Sequence, residues 1–230
     1  MENLPSYISI IFGLTTITTA WVFYKAAGNS KPVLMVILIW LAVQAYIASS
    51  GFYTVTDTFP PRFLLLVLPP FLGIAGLFMT PEGRKFIDSL DLKSLIILHT
   101  IRIPVEIVLF FLFTYKAVPE LMTFEGRNFD ILSGITAPVI FYFAFVRKQL
   151  SRKIILIWNV ICLGLLINIV INAVLSAPFP FQQFAFNQPN IAVLYFPFIW
   201  LPCCVVPLVL LSHLAAIRQL SNYGKKKWLI

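Results

Sequence analysis

The feature that most constrains this chain is a succession of seven apolar runs, each long enough for a helix to cross a lipid bilayer. They cover residues 5–27, 32–54, 62–79, 93–116, 128–147, 153–176 and 191–217. A membrane-spanning helix needs about 20 mostly apolar residues, because each rises about 1.5 Å against a hydrocarbon core of about 30 Å. The pattern therefore predicts an all-α, polytopic membrane bundle of seven transmembrane helices, forming one domain over residues 1–230.

The composition supports a lipid environment. Charged residues make up 11% of the 230 residues and hydrophobic residues 60%, whereas a soluble domain has about a quarter charged residues. The chain has too few polar groups to cover a surface in water, so membrane lipid is its expected partner. Its net charge of +8 does not indicate nucleic acid binding, because the Lys and Arg residues lie mainly between the apolar runs.

The distribution of Lys and Arg predicts the orientation. With seven crossings, thirteen of the 17 Lys and Arg residues fall on one side and three on the other, while Arg102 lies inside a run. Positive residues in short loops mark the cytoplasmic side. We therefore expect the N-terminus outside and the C-terminus in the cytoplasm, with Lys225–Lys227 and Trp228 at the inner surface. The expected location is a bacterial-type plasma (inner) membrane.

The third run is the weakest of the seven. It is short and contains Pro69 and Pro70 at its centre. Proline removes a helical hydrogen bond and clashes with the preceding turn, so a kinked or broken helix is expected here. The alternative is a re-entrant segment that does not cross fully. Prolines inside other runs predict further kinks, which shape the bundle or act as hinges; these are Pro104, Pro138, Pro197, Pro202 and Pro207.

The fourth run contains the polar residues that are hardest to explain in lipid. His99, Arg102 and Glu106 are separated by three and four positions, so they share one helical face. A charged side chain near the bilayer centre is costly unless it is paired or faces an internal cavity. One hypothesis is an ion pair between Arg102 and Glu106 that cross-links the bundle. The other is a site for a ligand, an ion or a proton, in which His99 relays the proton.

A second polar cluster occurs at the expected outer start of the fifth run. It contains Glu125, Arg127, Asn128 and Asp130. Glu125 and Asp130 are candidates to cap the helix start, where the helix dipole favours anions. The functional alternative is that the cluster forms the rim of an outward-facing vestibule.

Polar residues in two other runs complete the candidate site. Asn168 and Asn172 lie one turn apart in the sixth run, where contact with another helix and contact with a ligand are both open. Asp57 follows the second run at its outer end. If these faces converge, they predict a polar cavity that opens outward and has Arg102 and Glu106 at its floor.

Two classes of function follow from this site. The leading hypothesis is a small-molecule or ion transporter, or a ligand-binding receptor-like bundle, built around Arg102 and Glu106. The alternative is a membrane-embedded enzyme that acts on a lipid-soluble substrate, with His99 and Glu106 as acid and base. A structural or assembly role without a small-molecule site is a third possibility. Whether the chain is an enzyme, what its ligand is and how it assembles are left open.

No cofactor or metal site is expected. The cysteines Cys162, Cys203 and Cys204 lie within apolar runs without ligand spacing, so they are interpreted as small buried hydrophobes. A haem held by His99 and His213 is conceivable from their similar depth. The preferred interpretation is that His213 lies at the membrane interface and that His99 forms hydrogen bonds within the bundle.

Overall fold

The computed structural model describes residues 4–222, and every regular element in that range is helical, without a β-strand. Residues Lys225–Lys227 and Trp228, the expected membrane anchor, lie outside the described residues. The α-helices are α1 (Ser6–Ala26), α2 (Lys31–Ser49), α3 (Leu64–Met79), α4 (Pro81–Ser89), α5 (Leu92–Leu98), α6 (Arg102–Thr114), α7 (Ile131–Phe141), α8 (Arg152–Ser176) and α9 (Val206–Asn222).

Several of these helices could span a membrane. Five continuous helical stretches are long and apolar enough: Ser6–Ala26, Lys31–Ser49, Leu92–Thr114, Arg152–Ser176 and Leu201–Asn222. The pair formed by α3 and α4 counts as a sixth if the two helices make one bent span, and Ile131–Val146 is a shorter apolar helix. The prediction of an all-helical protein with several potential membrane-spanning helices is therefore confirmed.

The third run bends at a different place from the one expected. Helix α3 continues through its two central prolines, and the break follows Met79, where α4 leaves at an angle of 96°. The side chain of Thr80 accepts a hydrogen bond from the Gly83 amide (3.2 Å), while Pro81 occupies a first-turn position that needs no N–H. A Cβ atom at Gly83 would lie 2.4 Å from the Leu77 carbonyl oxygen, so the bend requires glycine.

Two other helix boundaries differ from the sequence prediction. Helix α2 ends at Ser49 instead of continuing to residue 54, and Gly51 follows in the left-handed region with φ of 73°. The last long helical stretch begins only at Leu201, because residues 191–200 form turns that include the 3₁₀ helix Ala192–Leu194. Both differences arise where apolar loop residues extend a hydrophobic run beyond the helix.

Departures from α-helical geometry occur near four of the five in-run prolines. The 3₁₀ turn His99–Ile101 precedes Pro104, and a π-helical segment follows Pro138. A second π segment contains Pro202 and ends two residues before Pro207. A proline ring excludes the carbonyl group one turn earlier from the hydrogen-bond ladder, so the neighbouring turn tightens or widens. These prolines therefore shape the bundle locally.

The stretch Leu92–Thr114 and the stretch Leu201–Asn222 lie at the centre of the bundle. In each of them 61% of the most apolar 18-residue segment is buried, against 17% in α2 at the periphery. Helix α1 packs against α5 and α6, and α9 packs against α8 and α5. Polar residues on the inner faces of these central helices are consequently shielded from the surroundings of the bundle.

One end of the bundle joins the termini of four helices. The Asp91 amide donates to the Ala26 carbonyl (2.8 Å), which ties the end of α1 to the start of α5. Gln219 of α9 donates to the carbonyls of Ile87 and Leu90 (2.8 and 2.9 Å). The ends of α1, α4 and α9 and the start of α5 therefore meet, and we call this the basic end, because it carries Lys25, Lys31, Arg84, Lys85, Lys93 and Arg218.

The opposite end is closed by the segment between α8 and the last long helical stretch. Gln188 in this segment donates to the carbonyl of Val118 (2.6 Å), and the amide of Ile191 donates to the carbonyl of Ala117 (3.1 Å). The segment therefore covers the C-terminal end of α6.

Candidate functional site

The buried charged residues meet where α6 and α7 begin. Arg102 Nη1 donates to the Asp130 carboxylate at 2.5 Å, and their side chains are only 3% and 6% exposed. The hypothesis that Arg102 pairs with Glu106 is therefore wrong: the partner of Arg102 comes from another helix. Asp130 also makes no hydrogen bond as a helix cap, so it serves as the counter-ion to Arg102.

The second terminal nitrogen of Arg102 is fixed by α8 and α9. Nη2 lies 3.0 Å from His213 Nε2, and His213 Nδ1 lies 3.0 Å from Asn159 Oδ1. Because a guanidinium can only donate, Nε2 is the acceptor and Nδ1 carries the proton, so His213 is neutral. Nδ2 of Asn159 donates to the Ile155 carbonyl (2.9 Å), which is consistent with this assignment. His213 is thus a buried structural residue, not the interfacial residue that the sequence indicated.

Glu106 is joined to this network through Asn128. The Asn128 amide donates to Glu106 Oε2 at 2.6 Å and to the Met122 carbonyl at 3.0 Å, while its Oδ1 accepts from the Asp130 backbone amide at 3.0 Å. Within residues 4–222, no hydrogen bond engages the other Glu106 oxygen, Oε1. One side chain, Asn128, therefore contacts both the Glu106 carboxylate and the backbone of Asp130.

His99 occupies a different position from the one expected. It is completely buried, and neither ring nitrogen has a hydrogen-bond partner in the described part of the chain. Its ring stacks on His213 with a centroid distance of 3.7 Å and an interplanar angle of 14°. The expectation that His99 forms hydrogen bonds within the bundle is therefore wrong.

The same geometry does not fit the haem considered for this pair. The two rings are stacked face to face, which leaves no space for an iron between them. Both nitrogens of His213 also have neighbours at hydrogen-bond distance. The arrangement of His99 and His213 therefore does not support haem binding.

A cavity of about 100 Å³ lies beside the two carboxylates. Among the described residues, Glu106, Asp130 and Asn190 are the only lining residues with charged or amide side chains, and His99 is not among the lining residues. The other walls are apolar and come mainly from α3, α6, α8, the π-helical segment that precedes α9 and the start of α9; they include Val67, Leu109, Leu166, Ile169 and Val206. The cavity is therefore a mainly hydrophobic space with acidic groups on one side.

Other residues of the sequence-predicted site lie away from these carboxylates. Asp57 and Glu125 are exposed. Arg127 is also exposed, and its guanidinium lies 5.5 Å from the centroid of the Phe184 ring. Asn168 donates to the Arg127 carbonyl (2.9 Å) and accepts from Asn172 (3.3 Å), and neither asparagine lines the cavity. Through these contacts, Arg127 and Asn168 join the start of α7, helix α8 and the segment that follows α8.

Three participating residues were not identified as site residues from sequence. His213 and Asn159 orient Arg102, and Asn190 lines the cavity. His213 and Asn159 could have been found from sequence, because each is a polar residue among apolar neighbours, in Leu-Ser-His-Leu and Trp-Asn-Val. Asn190 gives no such signal, because it belongs to a connecting segment where asparagine is common.

The charge balance of the buried cluster is uneven. Among the side chains described, Arg102, Glu106 and Asp130 are the only buried Lys, Arg, Asp or Glu residues. His213 is neutral by its hydrogen bonds, and a charged His99 would have no partner. With both carboxylates ionised, the cluster has one positive and two negative charges. An uncompensated buried charge is costly, so Glu106 requires a proton or a second cation.

The fold and the cluster define a class of protein: an all-helical chain with several helices that could span a membrane, built around buried polar side chains. Residues 59–221 match the family model described as a domain of unknown function, DUF8737. This match covers more than half of the chain, so the chain belongs to that family. It includes every residue of the cluster and the cavity but not α1 and α2. No curated protein and no solved structure matches the chain.

Proposed function

We propose that this chain is a seven-span protein of a bacterial-type plasma membrane that binds a small cationic ligand beside Glu106. The ligand has an apolar body and a positively charged group, and the protein acts as a small-molecule or ion transporter or as a receptor-like binding bundle.

The surplus negative charge of the buried cluster carries this proposal. Arg102 is already paired with Asp130, whereas Oε1 of Glu106 has no hydrogen bond to any residue that the structure describes. A cation at this position balances the second carboxylate, and the low polarity of the surroundings strengthens the attraction. An anionic ligand is disfavoured, because it would meet two carboxylates and a cation that is already engaged.

The lining of the cavity supports a ligand with an apolar body. Ligand sites are typically lined by hydrophobic side chains, with few polar groups that fix the orientation of the ligand. The cavity beside Glu106 has this composition. His99 does not line this cavity, so the geometry does not favour the acid–base enzyme hypothesis, in which His99 and Glu106 act together.

Binding of a primary alkylamine to the protein in lipid nanodiscs tests the proposal. The ligand is expected to raise the Tm of the wild type, because it binds only the folded state. Glu106→Gln keeps an acceptor for Asn128 but removes the charge, so it should weaken binding on the order of a hundredfold. The matched control is Glu125→Gln, which changes an exposed glutamate and should leave binding unchanged. Equal binding by the wild type and Glu106→Gln would refute the proposal.

A flux measurement separates the two roles. Proteoliposomes with a transporter accumulate a permanently charged alkylammonium ion, and this uptake should be lost in Glu106→Gln. A receptor-like bundle binds the ion without net uptake.

The arrangement of the loops supports seven spans with the N-terminus outside. The basic end brings together the α1–α2 loop, the α4–α5 loop and the C-terminal end of α9, which lie on the same side in a seven-span arrangement. Ile96, Ile155 and Leu220 pack together near this end, which adds the basic α7–α8 loop to it. The opposite end has few Lys and Arg residues, as the positive-inside rule predicts for the outer side.

Cysteine labelling tests this orientation. The three native cysteines are buried, so an impermeant maleimide should report mainly on introduced sites. Glu120→Cys should react in intact cells, whereas Ser89→Cys should react only after the membrane is permeabilised. Labelling of both from the same side would contradict the topology.

A further inference from the structure

The cavity contains a second polar group, which the proposed function does not use. Asn190 is completely buried, and its Oδ1 has no hydrogen-bond partner within the described range. Its Nδ2 donates to the Ala173 carbonyl at 3.3 Å, and its backbone amide donates to the Ser176 carbonyl at 2.9 Å. Because these bonds fix the residue and the orientation of its amide, Oδ1 is left without a partner in a residue that lines the cavity.

An orphan acceptor of this kind is uncommon in a folded protein. Most buried polar atoms have a partner, because desolvation without a hydrogen bond is unfavourable. At a cavity wall, a donor on a bound molecule satisfies such an atom. Asn190 therefore contributes an observation that is independent of the charge balance at Glu106.

The two polar groups are separated along the cavity. Arg102 Nη1 lies 3.5 Å from the Cys162 carbonyl, and α6 and α8 both run away from the basic end. Glu106 follows Arg102 by four residues and Leu166 follows Cys162 by four residues, and both line the cavity, so we take Leu166 to mark the depth of Glu106. Asn190 contacts Ala173, seven residues further along α8. At about 1.5 Å per residue, this is a separation of about 10 Å along the helix axis.

We propose that the cavity binds an elongated ligand with a hydrogen-bond donor at each end. Its cationic end is held by Glu106, its apolar body by the walls of α3 and α8, and a hydroxyl or amide N–H at its far end donates to Asn190 Oδ1. This rests on the proposed function and deepens it by assigning the ligand to the class of amphiphilic amines with a second, remote donor.

A series of ω-amino alcohols of increasing chain length tests the proposal, with n-alkylamines of the same lengths as the reference. Binding is measured with the full-length protein in nanodiscs. One amino alcohol in the series should bind about fivefold more tightly than its matched alkylamine, the gain expected from one added hydrogen bond. Without an acceptor, a buried hydroxyl would instead weaken binding.

Two variants locate the acceptor. Asn190→Leu should abolish the preference for the amino alcohol while binding of the alkylamine persists. Asn187→Leu, which changes an exposed asparagine of the same segment, should keep the preference. If Asn190→Leu does not fold, the comparison of the two ligand series on the wild type still decides.

The outcomes separate the two proposals. Alkylamine binding that depends on Glu106, without any amino-alcohol preference at any length, overturns the remote donor and leaves the proposed function intact. A preference that persists in Asn190→Leu also overturns it. Failure of both ligand series to bind, or binding that is unaffected by Glu106→Gln, refutes the proposed function itself.

Discussion

Replacement of Asp130 by asparagine isolates the energetic role of the buried ion pair. The substitution keeps the shape of the side chain and one acceptor oxygen for Arg102 Nη1, but it removes the counter-charge. Both partners are almost fully buried, and no other carboxylate contacts the guanidinium within 4.0 Å in the described range. Loss of Asp130 leaves the guanidinium without a carboxylate in contact, and breaking such a buried pair costs about 3–5 kcal/mol.

The second ion pair in the described residues provides a matched control. Arg218 and Asp88 also lie close together (2.8 Å), but their side chains are 25% and 47% exposed. Solvent screens an exposed pair, so Asp88→Asn should cost less than about 1 kcal/mol. The two Asp→Asn substitutions remove the same charge from two different environments.

The measurement is the free energy of unfolding in detergent micelles, followed by circular dichroism as a denaturing detergent is added. Asp130→Asn should lower it by several times as much as Asp88→Asn. Arg102→Met/Asp130→Leu should recover part of the loss, because both charges are removed together. Equal effects of the two single substitutions would refute the reasoning that the Arg102–Asp130 contact is buried and that Glu106 does not replace Asp130 as the partner of Arg102.

Three further predictions follow from the same contacts. Glu106→Gln should leave the Tm unchanged or raise it, because it removes surplus negative charge; a fall as large as that of Asp130→Asn would contradict the charge balance. Gly134→Ala should lower stability by about 1–3 kcal/mol, because its Cβ would lie 2.9 Å from a side-chain carbon of α6. Gly164→Ala, with no atom within 4 Å of its Cβ, should be neutral or stabilising by up to about 1 kcal/mol in the same unfolding measurement. His99→Phe should be tolerated, because the ring makes no hydrogen bond, whereas His213→Phe should lower the Tm clearly by leaving the Arg102 guanidinium short of an acceptor; equal Tm values would contradict these roles.

The helical class and most helix positions could be predicted from the sequence, because both follow from local hydrophobicity. A run of apolar residues long enough to cross a bilayer must satisfy its backbone groups internally, which favours a helix. The boundaries were less predictable where apolar loop residues continue a run, as before Leu201. The bend after Met79 depends on the Thr80 cap and on the close backbone approach at Gly83. The two prolines at the centre of the run indicated a break at the centre, so the sequence did not predict the bend in its true position.

The candidate site was predictable in part. The sequence indicated Arg102 and Glu106 as charged residues in costly positions, and Asn128 and Asp130 as part of a polar cluster at the start of the next run; the structure brings these four together. It could not indicate their pairing. Spacing along one helix suggested Arg102 with Glu106, but a guanidinium on an inner helix face is also within reach of side chains from neighbouring helices.

By itself, the sequence determined that this chain forms apolar helices and that a few polar residues lie among them. Those properties depend on residues near one another along the chain. Only the tertiary structure decided that Asp130 neutralises Arg102, that His213 orients it, and that Glu106 and Asn190 line one cavity. The reason is physical: such contacts join residues far apart in sequence, and helix packing selects one arrangement from many that have the same pattern of apolar runs.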